Sequence, residues 1–345
     1  NIIKTSHNFY NLMDNKIRVV QYGLGPIGTK TTQFLLERDS IQIVGAVDSD
    51  PTKSNLDIGE LAGLPSAYGV RVTDDPKTLL SKVDADIVVL TTTSGLEDIK
   101  SQIIEIVSFG VNIVSTCEEL SHPWLTNPKI ADEIDVAAKM NDVSVLATGI
   151  NPGFLMDFLP LAMTGICRDV KKITVERIQN AQFRRIPFQK KIGAGLTVEQ
   201  FNDKVKEGTL RHVGLTESIH MIAHKIGWKL DKTEDIINPV IAADKVTTAD
   251  LTIEPGKVTG VNQIGRGYVK SKEVITLVFK ATVGEPNPRD RIIIEGTPDI
   301  DMTIKDGING DIATCAITAN AIPAVIKAPA GLKTMANIET ISYSG

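Results

Sequence analysis

Two groups of residues in this chain have the type and spacing to do chemistry. The first is Gly23, Gly25 and Gly28, a complete G-x-G-x-x-G within Gln21-Tyr22-Gly23-Leu24-Gly25-Pro26-Ile27-Gly28. A β-rich stretch precedes it and a helical one, Thr29 to Arg38, follows. Gly23 permits the tight turn, Gly25 lets a pyrophosphate approach the backbone, and Gly28 lets the helix pack close to the strand. The positive end of that helix then faces the phosphates. Asp48 ends the next apolar run, twenty residues past Gly28, where a ribose hydroxyl partner is expected. Gly23, Gly25, Pro26, Ile27, Gly28 and Asp48 are therefore cofactor-binding candidates. The plainer alternative is a glycine-rich turn between strand and helix. The second group is Glu118 and Glu119, two adjacent acids after the apolar run Asn112 to Ser115. A carboxylate there could attract a substrate ammonium and act as base for water or ammonia adding to a carbon–nitrogen double bond. Either acid could instead cap the following segment or face solvent.

Around these lie weaker candidates. Thr91-Thr92-Thr93-Ser94 could line a cofactor ribose or cap the next helix. Thr92, Thr93 and Cys117 are counted with the cofactor contacts. Asn151 could bond the substrate or the nicotinamide carboxamide, or simply form a turn before Pro152. Arg184, Arg185, Lys190 and Lys191 could hold a substrate carboxylate or form a solvated face, and Arg184 and Lys190 are taken as substrate candidates. His122 is either a proton carrier or a loop residue. His220 and His224 share a helix face without an acidic third ligand, and no Cys/His pair has zinc spacing, so no metal is expected.

The elements that must position these groups come from the hydrophobic pattern. Arg18 to Tyr22, Ile41 to Val47, Ile87 to Thr91, Asn112 to Ser115 and Val143 to Ala147 read as strands, with helices such as Leu96 to Phe109 and Pro128 to Met140 between them. Continuous apolar strands alternating with helices imply a Rossmann-type, doubly wound parallel sheet. From about Lys171 the texture changes. Ile173 to Ile178, Glu273 to Thr282, Arg291 to Glu295 and Asp299 to Ile304 read as strands of a mixed or antiparallel sheet, and Thr197 to Glu207 and Thr216 to Gly227 as helices. Gly310 to Ile326 reads as a helix that returns to the first domain. The expected division is 13–150 plus 308–345 for the dinucleotide-binding domain and 151–307 for an α+β domain that binds substrate and dimerises. Residues 1–12 are expected to be a non-native or disordered extension. Candidate catalytic groups are expected to project into the gap between domains.

Composition narrows the classes. A net charge of −5 and the lack of a basic stripe with interleaved aromatics exclude nucleic acid as an expected partner. No apolar stretch approaches the ~20 residues of a membrane span, and no signal-peptide pattern is seen. Three widely spaced cysteines, Cys117, Cys167 and Cys315, fit a reducing cytoplasm.

From about Ile17 to Ile338 the chain resembles the 2,4-diaminopentanoate dehydrogenases and related native amine dehydrogenases, within the dihydrodipicolinate-reductase-like group. The resemblance rests on the glycine motif, on Ser115-Thr116-Cys117-Glu118-Glu119-Leu120, on Gly149-Ile150-Asn151-Pro152-Gly153-Phe154, on Arg185 to Leu196, and on Gly310-Asp311-Ile312-Ala313-Thr314. It implies reversible oxidative deamination, with a key acid/base in the Cys-Glu-Glu-Leu stretch, and a homodimer. The chain lacks the His-His-rich motif of true dihydrodipicolinate reductases. It also lacks the lysine of the Glu-Lys-Pro motif in sugar oxidoreductases. The expected activity is NAD(P)-dependent deamination of 2,4-diaminopentanoate to 2-amino-4-oxopentanoate, and amination of ketones in reverse. Asp48 favours NAD, and Lys53 softens the repulsion of NADP, which stands as the alternative cofactor. The competing expectations are an imine- or alcohol-specific oxidoreductase of the same fold and a non-catalytic NAD sensor.

Overall fold

The computed structural model describes residues 16–184, 186–248 and 251–345. The extension 1–12 and Arg185 lie outside the described residues. The chain divides into two compact units, one ending at Ile150 and resuming over Gly310–Gly345, the other Asn151–Asn309.

The first unit is built on a seven-stranded sheet. Its strands are β1 (Ile17–Tyr22), β2 (Ile41–Val47), β3 (Val72–Thr73), β4 (Ile87–Leu90), β5 (Asn112–Ser115), β6 (Ser144–Ala147) and a last strand, Gly331–Lys333. The order runs from Gly331–Lys333 through β6, β5, β4, β1 and β2 to β3, and every pairing is parallel. All four residues of β4 and of β6 are buried, as covering on both faces demands. The helices α1 (Pro26–Leu36), α2 (Leu96–Ser108) and α3 (Pro128–Met140) connect the strands. In α2 the buried residues are Leu96, Ile99, Ile103, Ile106 and Val107, one apolar stripe at helical spacing. Truncating a fully buried isoleucine there to alanine costs about 2–5 kcal/mol. The helix Gly310–Lys327 packs on this unit. Cys315 Sγ lies 3.6 Å from the carbonyl of Ile27, and Ser144 Oγ donates to the carbonyl of Val325 at 2.5 Å.

This order fixes where a ligand can sit. The chain leaves β1 toward β2 and β3, then returns to the other side of β1 as β4. The loops after β1 and β4 therefore part, and a crevice opens beyond their carboxyl ends.

The second unit carries a six-stranded sheet. Its strands are β7 (Asp169–Asn180), β8 (Lys232–Ile241), β9 (Val258–Val269), β10 (Lys272–Thr282), β11 (Arg289–Thr297) and β12 (Ile300–Lys305), in the order β12-β11-β7-β10-β9-β8. Only β7 and β10 pair in parallel, so the sheet is mixed. The sequence reading finds four of these strands and passes over β8 and β9. A helix, α4 (Leu215–Ile226), packs on β9 where Gly265 leaves room: a Cβ there would lie 2.8 Å from Ile219 Cδ1. The helix Val198–Lys206 begins with a full capping box. Gln200 N donates to Thr197 Oγ1 at 3.1 Å, and Thr197 N donates to Gln200 Oε1 at 2.9 Å. Arg177, with side chain 1% exposed, faces Asp290 across β7 and β11 and donates to both its oxygens, at 3.2 and 3.1 Å. The carbonyl of Ile308 takes a further guanidinium proton at 2.9 Å.

Candidate active site

The glycine loop is shaped by three close approaches. Gly23 has φ +92°, and a Cβ there would meet the Thr91 carbonyl oxygen at 2.7 Å. A Cβ on Gly28 would stand 1.9 Å from the Gly23 carbonyl oxygen and 2.6 Å from Thr91 Oγ1. A Cβ on Gly25 would meet nothing within 4 Å. Gly23 and Gly28 are thus required by the fold itself, whereas the space over Gly25 is open. The helix α1 starts there with Pro26 in its first turn, no side-chain cap and no acid. Its first amides are left to an anion. These features fit a dinucleotide pyrophosphate. Beside them is a concavity of ≈ 450 Å³ lined by Leu24, Gly25, Pro26, Thr29, Lys30, Gln33 and Lys53.

Asp48, at the end of β2, is buried and engaged by this chain. Its Oδ2 accepts from Leu24 N at 2.6 Å and from Lys53 Nζ at 3.1 Å, and its Oδ1 accepts from Asp50 N at 2.8 Å. The carboxylate therefore clamps the glycine loop to the end of β2.

The loops after β4 and β5 are stitched together. Cys117 Sγ donates to the carbonyl of Ser94 at 3.2 Å, and Glu119 N donates to the same carbonyl at 3.3 Å. Glu119 Oε2 accepts from Leu96 N at 2.9 Å, so this carboxylate sits at the start of α2. Glu118 and Glu119 open a short 3₁₀ turn, Glu118–Leu120, and both are half-buried. Burial pushes the Cys117 thiol up to about 12, so it stays protonated. The threonine hydroxyls bond within the chain, with Thr91 and Thr93 half-buried and Thr92 exposed. Thr91 Oγ1 donates to the carbonyl of Gly23 at 2.8 Å, Thr92 Oγ1 donates to Gln102 Oε1 at 2.8 Å, and Thr93 Oγ1 takes a long bond of 3.4 Å from Gly95 N. The structure thus places the glycine loop, Thr91–Ser94 and the glutamate pair at the carboxyl ends of β1, β4 and β5, which are neighbours in one sheet. His122 is buried 5.4 Å from the ring of Trp124, edge to face.

In the second unit, Asn151 Nδ2 lies 2.6 Å from His212 Nε2. The His212 ring stacks on Phe279 with centroids 4.2 Å apart. Gln263, wholly buried, grips the His212 backbone. It accepts from its amide at 2.7 Å and donates to its carbonyl at 3.0 Å. Burial, with the nearby charges of Lys191 and Arg177, pushes the His212 pKa down to about 3, although the residue as a whole is only half-buried. A neutral ring facing an amide donor accepts at Nε2, so the hydrogen-bond network assigns the ring proton to Nδ1. Arg184 stacks over Phe188 at 4.1 Å and its carbonyl accepts from Gln189 Nε2 at 2.9 Å. Lys190 is exposed on the short helix Ile186–Lys191.

His212 and Gln263 escape the sequence reading. His212 stands alone in a loop with no spacing to flag it. Gln263 did carry a signal: it is a polar residue at an inward position of an alternating strand, between Val261 and Gly265. His220 bonds Thr233 Oγ1 at 3.1 Å. Among the described residues no group of three or more His, Cys, Asp or Glu is placed to hold a metal, and no helix is long and apolar enough to cross a membrane.

Residues 154–343 match the model of the 2,4-diaminopentanoate dehydrogenase C-terminal domain. The chain is 34% identical over 331 residues to a 2,4-diaminopentanoate dehydrogenase of Acetoanaerobium sticklandii, covering 94% of this chain and 93% of the relative. It is 22% identical over 329 residues to an amine dehydrogenase of Streptomyces virginiae, covering 90% and 91% of the two chains. The solved structure of an amine dehydrogenase from Mycobacterium smegmatis superimposes with a TM-score of 0.85 at 25% identity, covering 96% of this chain and 98% of that one.

Proposed function

The chain belongs to the 2,4-diaminopentanoate dehydrogenase family, whose members are oxidoreductases acting on amines, and from that premise we propose that it oxidatively deaminates 2,4-diaminopentanoate to 2-amino-4-oxopentanoate. A substrate ammonium, NAD⁺ and water give the ketone, an ammonium ion, NADH and a proton. Ketone amination is the same reaction reversed. The observation that carries this reading is the glutamate pair at the end of β5, beside the open glycine loop after β1 and the hydroxyl-rich loop after β4.

When bound, a nicotinamide cofactor would supply the hydride-accepting chemistry opposite the carbon bearing the nitrogen. Gly25 and the first amides of α1 would hold its pyrophosphate. Asp48 favours the unphosphorylated ribose, which makes NAD the preferred cofactor and NADP the alternative. A carboxylate from Glu118 or Glu119 does the proton work. It takes a proton from the substrate ammonium and releases it to solvent as the proton of the overall equation, so that the free amine can release hydride and the acid is again a carboxylate. It then stabilises the cationic iminium by its opposite charge, removes a proton from the water that adds to that carbon, and returns one to the departing amine. Asn151, Arg184 and Lys190 are proposed to bind substrate, the two cations through its carboxylate. The protein is proposed to act as a homodimer in the cytoplasm.

The test is NAD-dependent oxidation of 2,4-diaminopentanoate, together with the ammonium dependence of ketone reduction over a small set of 4-oxo acids and simple ketones. The reading expects deamination, and ketone reduction only with ammonium present. Ketone reduction at full rate without ammonium would assign the chain an alcohol-forming chemistry instead.

A further inference from the structure

This inference rests on the dinucleotide reading of the first unit and concerns the adenosine end of that site. An acid at the end of the second strand ordinarily selects against a 2′-phosphate by charge. Here the acid is occupied. Each oxygen of Asp48 accepts a main-chain amide, from Leu24 at 2.6 Å and from Asp50 at 2.8 Å, so its first duty is to fix the glycine loop. Its charge is countered by Lys53, whose Nζ lies 3.1 Å from Asp48 Oδ2 and 3.6 Å from Asp50 Oδ2. Lys53 also lines the ≈ 450 Å³ concavity beside the glycine loop, and Lys30 of α1 lines the same space. The lining holds two cations and no acid of its own. The space already admits a ligand at Gly25, where a Cβ would meet nothing within 4 Å.

We infer that Lys53 tempers the selectivity that Asp48 sets, a movable counter-ion that lets this site accept a 2′-phosphorylated adenosine as well as the unphosphorylated one. Without the phosphate, Lys53 stays on Asp48 and Asp50. With it, the ammonium turns on its flexible four-carbon stem toward the phosphate dianion, and Lys30 supplies the second positive charge. Asp48 keeps its two main-chain donors in both states, so the loop does not have to be rebuilt.

The measurement is binding rather than turnover: calorimetric titration of NAD⁺ and of NADP⁺ into the wild-type protein and into Lys53→Gln and Lys53→Arg, at constant ionic strength. The wild type is expected to bind both dinucleotides with Kd values within about tenfold of each other. Lys53→Gln is expected to raise the Kd for NADP⁺ at least tenfold while changing that for NAD⁺ less than threefold, and Lys53→Arg to keep NADP⁺ binding. Equal effects on both dinucleotides, or none on either, overturn the assignment of Lys53. So does a wild type that discriminates more than a hundredfold against NADP⁺. A wild type that binds neither dinucleotide removes the underlying reading of the unit as a dinucleotide site, a result distinct from all of these.

Discussion

Glu119 Oε2 accepts a hydrogen bond from the amide of Leu96 at 2.9 Å, so one of the two candidate acids also holds the first turn of α2. That double duty separates charge from structure by mutation. Glu119→Ala removes the acceptor and is expected to cost about 0.5–2 kcal/mol, the usual worth of a helix N-terminal partner, read from urea unfolding. Glu119→Gln keeps an oxygen for Leu96 and should retain that stability. Turnover should fall 10²- to 10⁴-fold in whichever glutamine variant, at 118 or 119, replaces the proton-transferring carboxylate. Wild-type turnover in both would refute the mechanism.

Gly25 and Gly28 should respond to alanine in opposite ways. Gly28→Ala drives a methyl to 1.9 Å from the Gly23 carbonyl oxygen, and should lose several kcal/mol of stability or fail to give soluble protein. Gly25→Ala meets nothing within 4 Å in the unliganded chain, so its melting temperature should be unchanged. Its affinity for NAD⁺ should fall at least tenfold, because the methyl occupies space proposed for the pyrophosphate. A Gly25→Ala protein that binds NAD⁺ normally would place the phosphates elsewhere.

These glycines also mark how far the sequence could be read. In the first unit strands and helices alternate with apolar cores, and the spacing from Gly28 to Asp48 is set by one helix and one strand, so local pattern and fold agree. In the second unit β9 was obscured by Gly260, Gly265 and Gly267, whose missing side chains break the alternation. Gly265 and Gly267 are small because α4 packs over them. The strand β8 was obscured by Lys232, Glu234, Asp235 and Pro239. Those residues suit an edge strand, which pairs on one side only and spares Pro239 a ladder bond. The loop to which Glu119 anchors was also hidden, since no periodicity relates Leu96 to a residue 23 positions on.

His212 makes acid stability a test of the second unit. Its folded pKa of about 3 lies below the ordinary imidazole value of ~6.5. Between those values the unfolded chain binds a proton that the native chain refuses. The contribution is therefore fully present above pH 6.5 and is lost as pH falls toward 3. His212→Asn should show a shallower fall of urea midpoint between pH 7 and 4 than the wild type. Parallel curves for the two proteins would mean that the ring titrates normally.

The buried pair Arg177–Asp290 should be costly to break and cheap to replace. Arg177→Met leaves Asp290 among apolar strands and should cost about 3–5 kcal/mol. The double variant Arg177→Met, Asp290→Leu should recover part of that loss in denaturant titrations, because no unpaired charge remains. A single variant as stable as the wild type would show that water reaches the site.

Thiol labelling should separate the three cysteines. Cys117 is 1% exposed with its thiol pushed up to about 12, and Cys315 is wholly buried. Cys167 is half-exposed. Iodoacetamide at pH 8 should modify Cys167 first and leave the other two until the protein unfolds, as followed by peptide mass spectrometry.

The returning segment Gly310–Lys333 has a consequence for biosynthesis. Until it leaves the ribosome, β6 is an open edge of a parallel sheet, and α1 lacks the helix that covers it. The whole of Asn151–Asn309 must be translated first, a wait of roughly ten to thirty seconds at about 5–20 residues per second. During that interval the nascent N-terminal half keeps an uncovered sheet edge, so a chain released by a premature stop codon after residue 309 should aggregate more readily than the full-length protein.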